Sequence, residues 1–488
     1  MAKIIIIGGG VAGLSAGIYA RLNGFDATVY EMHPVPGGNL TGWDREGFRI
    51  DNCVHWLTGT NPASGLYKIW KTLGAFGDRP PVTGKTLFSC EYGGKRLSLG
   101  TDIEKLRRDM YSVSPRDKAE TDCFISAVKA LQYMLGLGGK GKNEKCGMTE
   151  TLLCLPMIAK YFFLTAGELS ERFSHPLLKL FIKSLLTGHF GASALLLVFA
   201  HYCSGNAGLP EGGSRAMAQR MADRFVSLGG ELSLGKKAVK VYEDGEKTVR
   251  ARFSDGGEAV GDYAVLTADP RTVFGGLVDK KMPRSLLSKY KSRKYKRFSS
   301  FHCAFSCDSA ELPFEGDLIV RLPERLKKLA FSDTLVLRAF PHKSGCSPEG
   351  KSLIQAMFFC PERVALGFIR ARRDIKKYRK IKRRICFEIE KAVTGRFSRL
   401  DGSLKCVDSW TPATYKRFVG SQAGTYMSFA FSSGVLPVKA KNTVKGMKRV
   451  FLATQWLQPP GGLPIAAQSG IDAIKSIMKS KIKSRARF

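Results

Sequence analysis

Glycines at positions 8, 10 and 13, and the carboxylate of Glu31 eighteen residues beyond the last of them, are the residues whose types and spacing most directly specify chemistry. In Gly8-Gly9-Gly10-Val11-Ala12-Gly13, the first glycine permits a tight turn and Gly10 lets bare backbone approach a pyrophosphate. Gly13 lets a helix pack closely on a strand. The peptide N–H groups of Val11 and Ala12 open that helix and face, with the positive end of its dipole, any anion seated over the turn. The Glu31 carboxylate can accept from both hydroxyls of an adenosine ribose, and its charge opposes a 2′-phosphate, so FAD or NAD is favoured over NADP.

These groups need a strand before the turn, a helix after it, and a second strand ending at the acid. Lys3-Ile4-Ile5-Ile6-Ile7 is β-branched and almost wholly apolar, as a parallel strand buried on both faces requires. Leu14 to Leu22 has the apolar spacing of a helix, and Asp26-Ala27-Thr28-Val29-Tyr30 reads as the second strand. The glycine turn therefore sits in a βαβ unit, the setting a dinucleotide requires. No second G-x-G-x-x-G stands between strand and helix, which excludes a separate NAD(P)H domain of the disulfide-reductase type. The charge-free run from Ile4 to Ala20 is interrupted by glycines and lacks a cleavage context, so it is not read as a secretory signal.

Beyond Glu31, the loop His33-Pro34-Val35-Pro36-Gly37-Gly38-Asn39 turns the chain back toward the nucleotide, and Gly47-Phe48-Arg49-Ile50-Asp51 reads as a further strand. Here the chain resembles the phytoene desaturase, carotenoid isomerase and retinol saturase group of the amine-oxidase-like flavoproteins. That group has P-G-G-R and then F-x-x-D-x-G. Asn39 stands where Arg is usual, which removes one phosphate contact. The resemblance continues in Leu209-Pro210-Glu211-Gly212-Gly213 with a helix over 216–228, and in short strands at 230–234 and 238–241, where the backbone of Val239 would contact adenine. It also covers the strand running from Asp262 to Asp269-Pro270. Near the end, the strand 449–454, the turn Pro459-Pro460-Gly461-Gly462-Leu463-Pro464 and a helix over 465–478 match an element whose helix faces the flavin. Thr454-Gln455 replaces the usual Gly-Asp, leaving Gln455 to bond a ribityl hydroxyl.

The resemblance implies an α/β fold with FAD as cofactor. A discontinuous Rossmann-like FAD-binding domain (1–60, 205–275 and 405–478) would interleave with an α+β substrate-binding, membrane-facing domain (61–204 and 276–404), followed by a basic tail (479–488). It also implies an oxidoreductase that moves hydride between flavin N5 and C–C bonds of a long apolar isoprenoid, polyene or lipid substrate. Redox-neutral polyene cis/trans isomerisation and a non-catalytic lipid or prenyl carrier are the alternatives. The electron acceptor is not named by the sequence. His55 and Trp56 follow the strand that passes near the isoalloxazine in relatives and are the catalytic candidates, with a structural histidine as the competing reading of His55. Trp456 and Tyr426 would lie near the ring or serve in packing.

The 488 residues are 44% hydrophobic, which excludes a mainly disordered chain. A net charge of +35, from 77 basic against 42 acidic residues, favours an anionic partner. Ten Lys or Arg residues crowd 370–384, beside Ile375, Tyr378, Ile381 and Ile385 at helical spacing; further clusters lie at 280–297 and 475–487. They suggest an anionic membrane surface and a cytoplasmic protein docked on the inner face, with a merely solvated basic surface as the alternative, while no finger or RNP-type motif supports nucleic acid. The apolar segments 152–158 and 161–164 would line a tunnel or form a helical core. The charge-free stretch 184–210 suits a buried or membrane-surface helix better than a span, because Gly188, Gly205 and Asn206 interrupt it. Twelve cysteines without a C-x-x-C pair argue against a metal site or disulfide scaffold and for reduced, buried thiols, with Cys303 and Cys307 on one interior strand.

Overall fold

The strand Lys3–Ile7 is the middle of a five-stranded sheet whose order is Val450–Leu452, Tyr263–Leu266, Lys3–Ile7, Asp26–Tyr30, Glu231–Ser233. Every pairing in it is parallel. This computed structural model describes residues 1–137, 148–435 and 438–485; Cys146 and the last three residues of the basic tail lie outside them. Ile4, Ile5 and Ile6 are fully buried because helices pack on one face and a three-stranded antiparallel sheet covers the other. The helices Val11–Leu22, Gly213–Ser227 and Leu463–Arg485 supply the first layer. Ala238–Asp244, Thr248–Phe253 and Glu258–Gly261 supply the second. The arrangement is the Rossmann-like α/β fold expected from the opening residues.

A second, seven-stranded sheet runs in the order Lys405–Trp410, Phe298–Asp308, Lys351–Pro361, Thr334–Phe340, Asp317–Arg321, Thr86–Tyr92, Lys95–Gly100. It is antiparallel except where Asp317–Arg321 meets Thr86–Tyr92. The two-residue strand period sorts Phe298–Asp308 between two environments. Phe301, Cys303, Phe305 and Cys307 pack under the helices Glu362–Ala371 and Ile375–Arg396, while His302 turns to the opposite face. On that face, the helices Lys118–Met134, Pro176–Ser184 and Ala192–Cys203 build another core around Phe88, Phe124, Phe181 and Phe199. Strands and helices of the second sheet thus come from stretches interleaved with those of the first.

Some expectations hold and others change. The charge-free stretch 184–210 contributes a buried helix, as one of its readings expected: the 12-residue Ala192–Cys203, whose Leu195, Leu196 and Phe199 are in the core. Among the described residues no helix is long and apolar enough to cross a membrane. The last helix continues past Met478 to Arg485, so part of the expected basic tail is helical. Lys and Arg are good helix formers, and cations favour a helix carboxyl end. In the cationic helix Ile375–Arg396 the apolar stripe is not free, because Tyr378, Ile385 and Ile389 are buried against the second sheet. Segment 152–158 is neither tunnel wall nor core: Leu152, Leu153, Leu155 and Met157 are exposed on the helix Met148–Phe162. Among the described cysteines, Cys90, Cys303, Cys307, Cys360 and Cys386 are buried, whereas Cys123 and Cys406 are exposed.

Candidate active site

The turn after Lys3–Ile7 is shaped by two close approaches. Gly8 has φ +109° and passes Thr267, whose Oγ1 donates to the Ile7 carbonyl at 2.9 Å. A Cβ on Gly13 would stand well inside contact distance of the Gly8 carbonyl oxygen, so only glycine lets the helix Val11–Leu22 begin this near the strand. Gly10 is the N-cap and offers no side-chain acceptor, which leaves the first helical N–H groups for a ligand. The Gly37-Gly38 loop lies across Gly10, tied by a Gly37 N–H to Gly9 carbonyl bond of 2.9 Å.

Glu31 is buried at the end of its strand. Its carboxylate accepts from the Gly9 N–H at 2.7 Å and the His33 N–H at 3.0 Å. These amides fix the carboxylate at the cavity wall and leave lone pairs for two ribose hydroxyls. At the same end, Val239 drops out of the ladder at an irregularity between Ala238 and Lys240, so its backbone is not paired with the neighbouring strand. Asn39 also lines the cavity; its Oδ1 is buried with no hydrogen-bond partner among the described residues.

Across the cavity, Gly461 and Gly462 lead into Leu463 and Pro464 at the start of the last helix. Gln455 is occupied at both ends: Nε2 donates to the Tyr426 carbonyl at 2.8 Å and Oε1 accepts from the Gly462 N–H at 2.8 Å. It therefore braces the turn. Asp269, flagged in sequence only as the end of a strand, accepts from Ser421, the Arg271 N–H and Tyr290, and so fastens the 421–425 loop to the cavity.

One cavity of about 1230 Å³ joins all these groups, above the roughly 300–1,000 Å³ of an ordinary ligand pocket. Of the residues assigned to the cofactor or to catalysis in the sequence, only Gly13 is absent from its wall, lying beneath the turn. His55, Trp56, Tyr426 and Trp456 line it, and so do the apolar side chains Phe88, Leu185, Phe190, Leu197, Val198 and Phe359.

Sequence reasoning missed a polar cluster in the apolar half. Asp317 accepts from Arg338 Nε at 2.6 Å and Nη2 at 3.0 Å, and its Oδ2 lies 3.4 Å from His55 Nδ1. Arg338 also donates to the carbonyls of Val54 and His55, holding that loop. Burial works to raise the Asp317 carboxyl, but Arg338 and His55 outweigh it and hold it down at about 2. Burial and then Arg338 push the His55 imidazole below its ordinary range, against the Asp317 bond and charge and the Asp51 charge. Nearby, His302 stacks on Trp410 at 4.7 Å, with Ser300 Oγ at 2.6 Å and Tyr415 Oη at 3.1 Å from its Nε2. Burial and the His55 charge lower His302, and burial alone lowers His201 to about 4. The sequence signal available was an aspartate opening an otherwise apolar strand, Asp317-Leu318-Ile319-Val320, and an arginine within Leu335-Val336-Leu337-Arg338.

Residues 11–477 match the family model described as flavin containing amine oxidoreductase. The chain belongs to the flavin-containing amine oxidoreductase family. It is an FAD-dependent oxidoreductase. Prolycopene isomerase of Daucus carota is 23% identical to it over 446 residues, covering 86% of this chain and 71% of that protein. The 4,4'-diaponeurosporene oxygenase of Staphylococcus haemolyticus is 22% identical over 508 residues, covering 96% and 95%. A lycopene-forming phytoene desaturase of Pseudescherichia vulneris is 24% identical and covers 52% and 53%. Among solved structures, a triple mutant of putrescine oxidase has TM-score 0.61 at 14% identity, covering 98% of this chain and 99% of that one. Cyclohexylamine oxidase of Brevibacterium oxydans has TM-score 0.56 at 13%, covering 99% of each. These structures share the fold.

The residues present suit the family's cofactor. A side-chain-free turn, an amide-held carboxylate, an unladdered strand residue and an unpartnered Asn39 oxygen lie along one cavity wall, matching phosphate, ribose and adenine in kind. FAD is the cofactor.

Proposed function

We propose that the protein acts on C–C bonds of a long apolar isoprenoid, polyene or lipid substrate. The observation that carries this reading is the continuity of the nucleotide wall with an aromatic and aliphatic chamber in a single cavity. The relatives named for carotenoid chemistry support a polyene or isoprenoid occupant. FAD, when bound, supplies a hydride acceptor or donor at N5. The chain's own residues then bind, orient and keep out water. Gly8, Gly10, Val11 and Ala12 hold the pyrophosphate and Glu31 the ribose. Gly37, Gly38 and Asn39 close over them, and the backbone of Val239 meets the adenine. Gly461, Gly462, Leu463 and Pro464, braced by Gln455, form the wall at the redox end. Trp56, Phe190 and Leu197 make the dry bed on which a chain is positioned.

Delivery from an anionic membrane surface is part of the proposal. Leu153 and Phe163 are 71% and 70% exposed at the helix Met148–Phe162, and Phe162, at its end, lines the cavity. The net charge of +35 adds attraction to an anionic leaflet. Binding to anionic vesicles but not neutral ones is expected.

The purified protein should be yellow and release FAD on denaturation. A colourless protein that rejects added FAD would instead favour the lipid carrier. With a polyene bound, desaturation consumes an electron acceptor, whereas isomerisation changes geometry with none consumed. Product formation without acceptor loss would replace the first reading by the second.

A further inference from the structure

We infer that the substrate of this cavity carries a hydroxyl group, and that His55 Nε2 receives its proton in a hydrogen bond. The inference rests on the reading of the cavity as a site for an apolar chain and adds a polar group to that chain.

The cavity wall around Phe88, Leu185, Phe190, Leu197 and Val198 gives an aliphatic substrate all it needs. A purely hydrocarbon occupant gives no reason to keep an Asp and a His in that wall with an Arg behind them, because burying charges carries a desolvation penalty that an apolar ligand does not offset. Yet Asp317 and Arg338 side chains are only 10% and 13% exposed, and they form a two-pronged pair at 2.6 and 3.0 Å. The pair has a directed consequence. Arg338 fixes the loop through the Val54 and His55 carbonyls, and Asp317 places a carboxylate oxygen 3.4 Å from His55 Nδ1. An ionised carboxylate is an acceptor only, so Nδ1 carries the proton and Nε2 carries the lone pair. The His55 side chain remains 27% exposed at the cavity, and Nε2 has no hydrogen-bond partner among the described residues.

The charged and titratable neighbours define which proton state this acceptor has. Arg338 opposes protonation of His55; Asp317 and Asp51 favour it; burial opposes it most strongly, and the result lies below the ordinary imidazole range. His302 is near enough for its own charge to be disfavoured by that of His55. At neutral pH the wall therefore presents a neutral acceptor with a fixed tautomer, which suits an O–H donor. It does not suit a carboxylate, which would need His55 charged, or a bare hydrocarbon, which would leave Nε2 unpaired.

The test is equilibrium dialysis of the FAD-loaded protein against three radiolabelled C20 probes: an all-trans polyprenol, the hydrocarbon lacking its hydroxyl, and the corresponding acid. The expected order is alcohol above hydrocarbon and acid at pH 7.5, by roughly 3- to 10-fold, the range of one net neutral hydrogen bond. The alcohol-to-hydrocarbon ratio should fall to about one in His55→Phe and remain above one in Val226→Ala, an exposed site outside the cavity wall, each checked for native melting. Equal affinity of wild-type protein for alcohol and hydrocarbon, a preference for the acid, or an undiminished ratio in a folded His55→Phe protein overturns the inference. Equal binding leaves the apolar-substrate reading standing. Failure of all three probes to bind removes that reading as well.

Discussion

Replacing Arg338 by Met should expose how much the buried cluster depends on its cation. The substitution keeps most of the side-chain length but removes both bonds to Asp317 and both bonds to the Val54 and His55 carbonyls. Breaking a buried ion pair on one side costs about 3–5 kcal/mol, because the remaining charge is left in a poor solvent. The Asp317 carboxyl gives a consistent scale: its fall from 3.8 to about 2 corresponds to roughly 2–3 kcal/mol of preference for the ionised form. The pH dependence has a definite sign. In the wild type Asp317 is depressed in the folded state, so its contribution is present above 3.8 and is lost as pH falls toward 2. In Arg338→Met, burial is the largest remaining influence and raises the carboxyl, so acidification relieves the unpaired charge. Chemical denaturation of both proteins at pH 7.5 and 5.0, followed by tryptophan emission, should show a deficit of about 3–5 kcal/mol that narrows at the lower pH. A deficit under about 1 kcal/mol, or one that widens on acidification, would refute the claim that Arg338 compensates a buried carboxylate.

Gly13→Ala should yield folded protein with little bound FAD, because the helix must move away from the Gly8 carbonyl and so distort the turn; absorbance per protein checks this, and full flavin occupancy would contradict it. Leu152→Asp with Leu153→Asp should weaken binding to anionic vesicles at least tenfold while changing stability by about ±0.5 kcal/mol per site, since both side chains are exposed; sedimentation with liposomes and denaturation measure the two effects. Binding of the C20 alcohol should be unchanged from pH 7.5 to 6.5 and weaken only as pH falls through the lowered His55 value, because the neutral imidazole is the acceptor; loss of binding between pH 7.5 and 6.5 would contradict this.

The nucleotide half was readable because its signals are local. Gly8, Gly10 and Gly13 each answer a backbone demand within one turn, Ile4 to Ile7 declare a doubly buried strand, and Glu31 ends the next one. Even the returning strands at 231–233 and 263–266 carried recognisable residues; 263–266 falls beside the first strand and 231–233 beside the second, Asp26–Tyr30. The polar cluster was not readable, for a physical reason. Asp317 and Arg338 lie on adjacent antiparallel strands as direct partners, while His55 reaches them from 262 residues away. No periodicity within either segment reports such a pairing. The apolar stripe at Tyr378 and Ile385 misled in the opposite sense: helical spacing showed that one face is apolar, but not that the second sheet already covers it. Likewise Leu152 and Leu153 look like core residues in sequence, and only the surrounding packing reveals that nothing in the described chain covers them.

The central claim is that the Gly8–Gly13 turn and Glu31 hold the nucleotide of FAD, with the apolar chamber continuing from the redox end. A crystal structure of the FAD-bound protein measures this directly. The pyrophosphate should lie over the N–H groups of Val11 and Ala12, with the adenosine ribose hydroxyls bonded to the Glu31 carboxylate. Electron density placing the nucleotide elsewhere, or a cleft closed by side chains with no flavin retained, would contradict it.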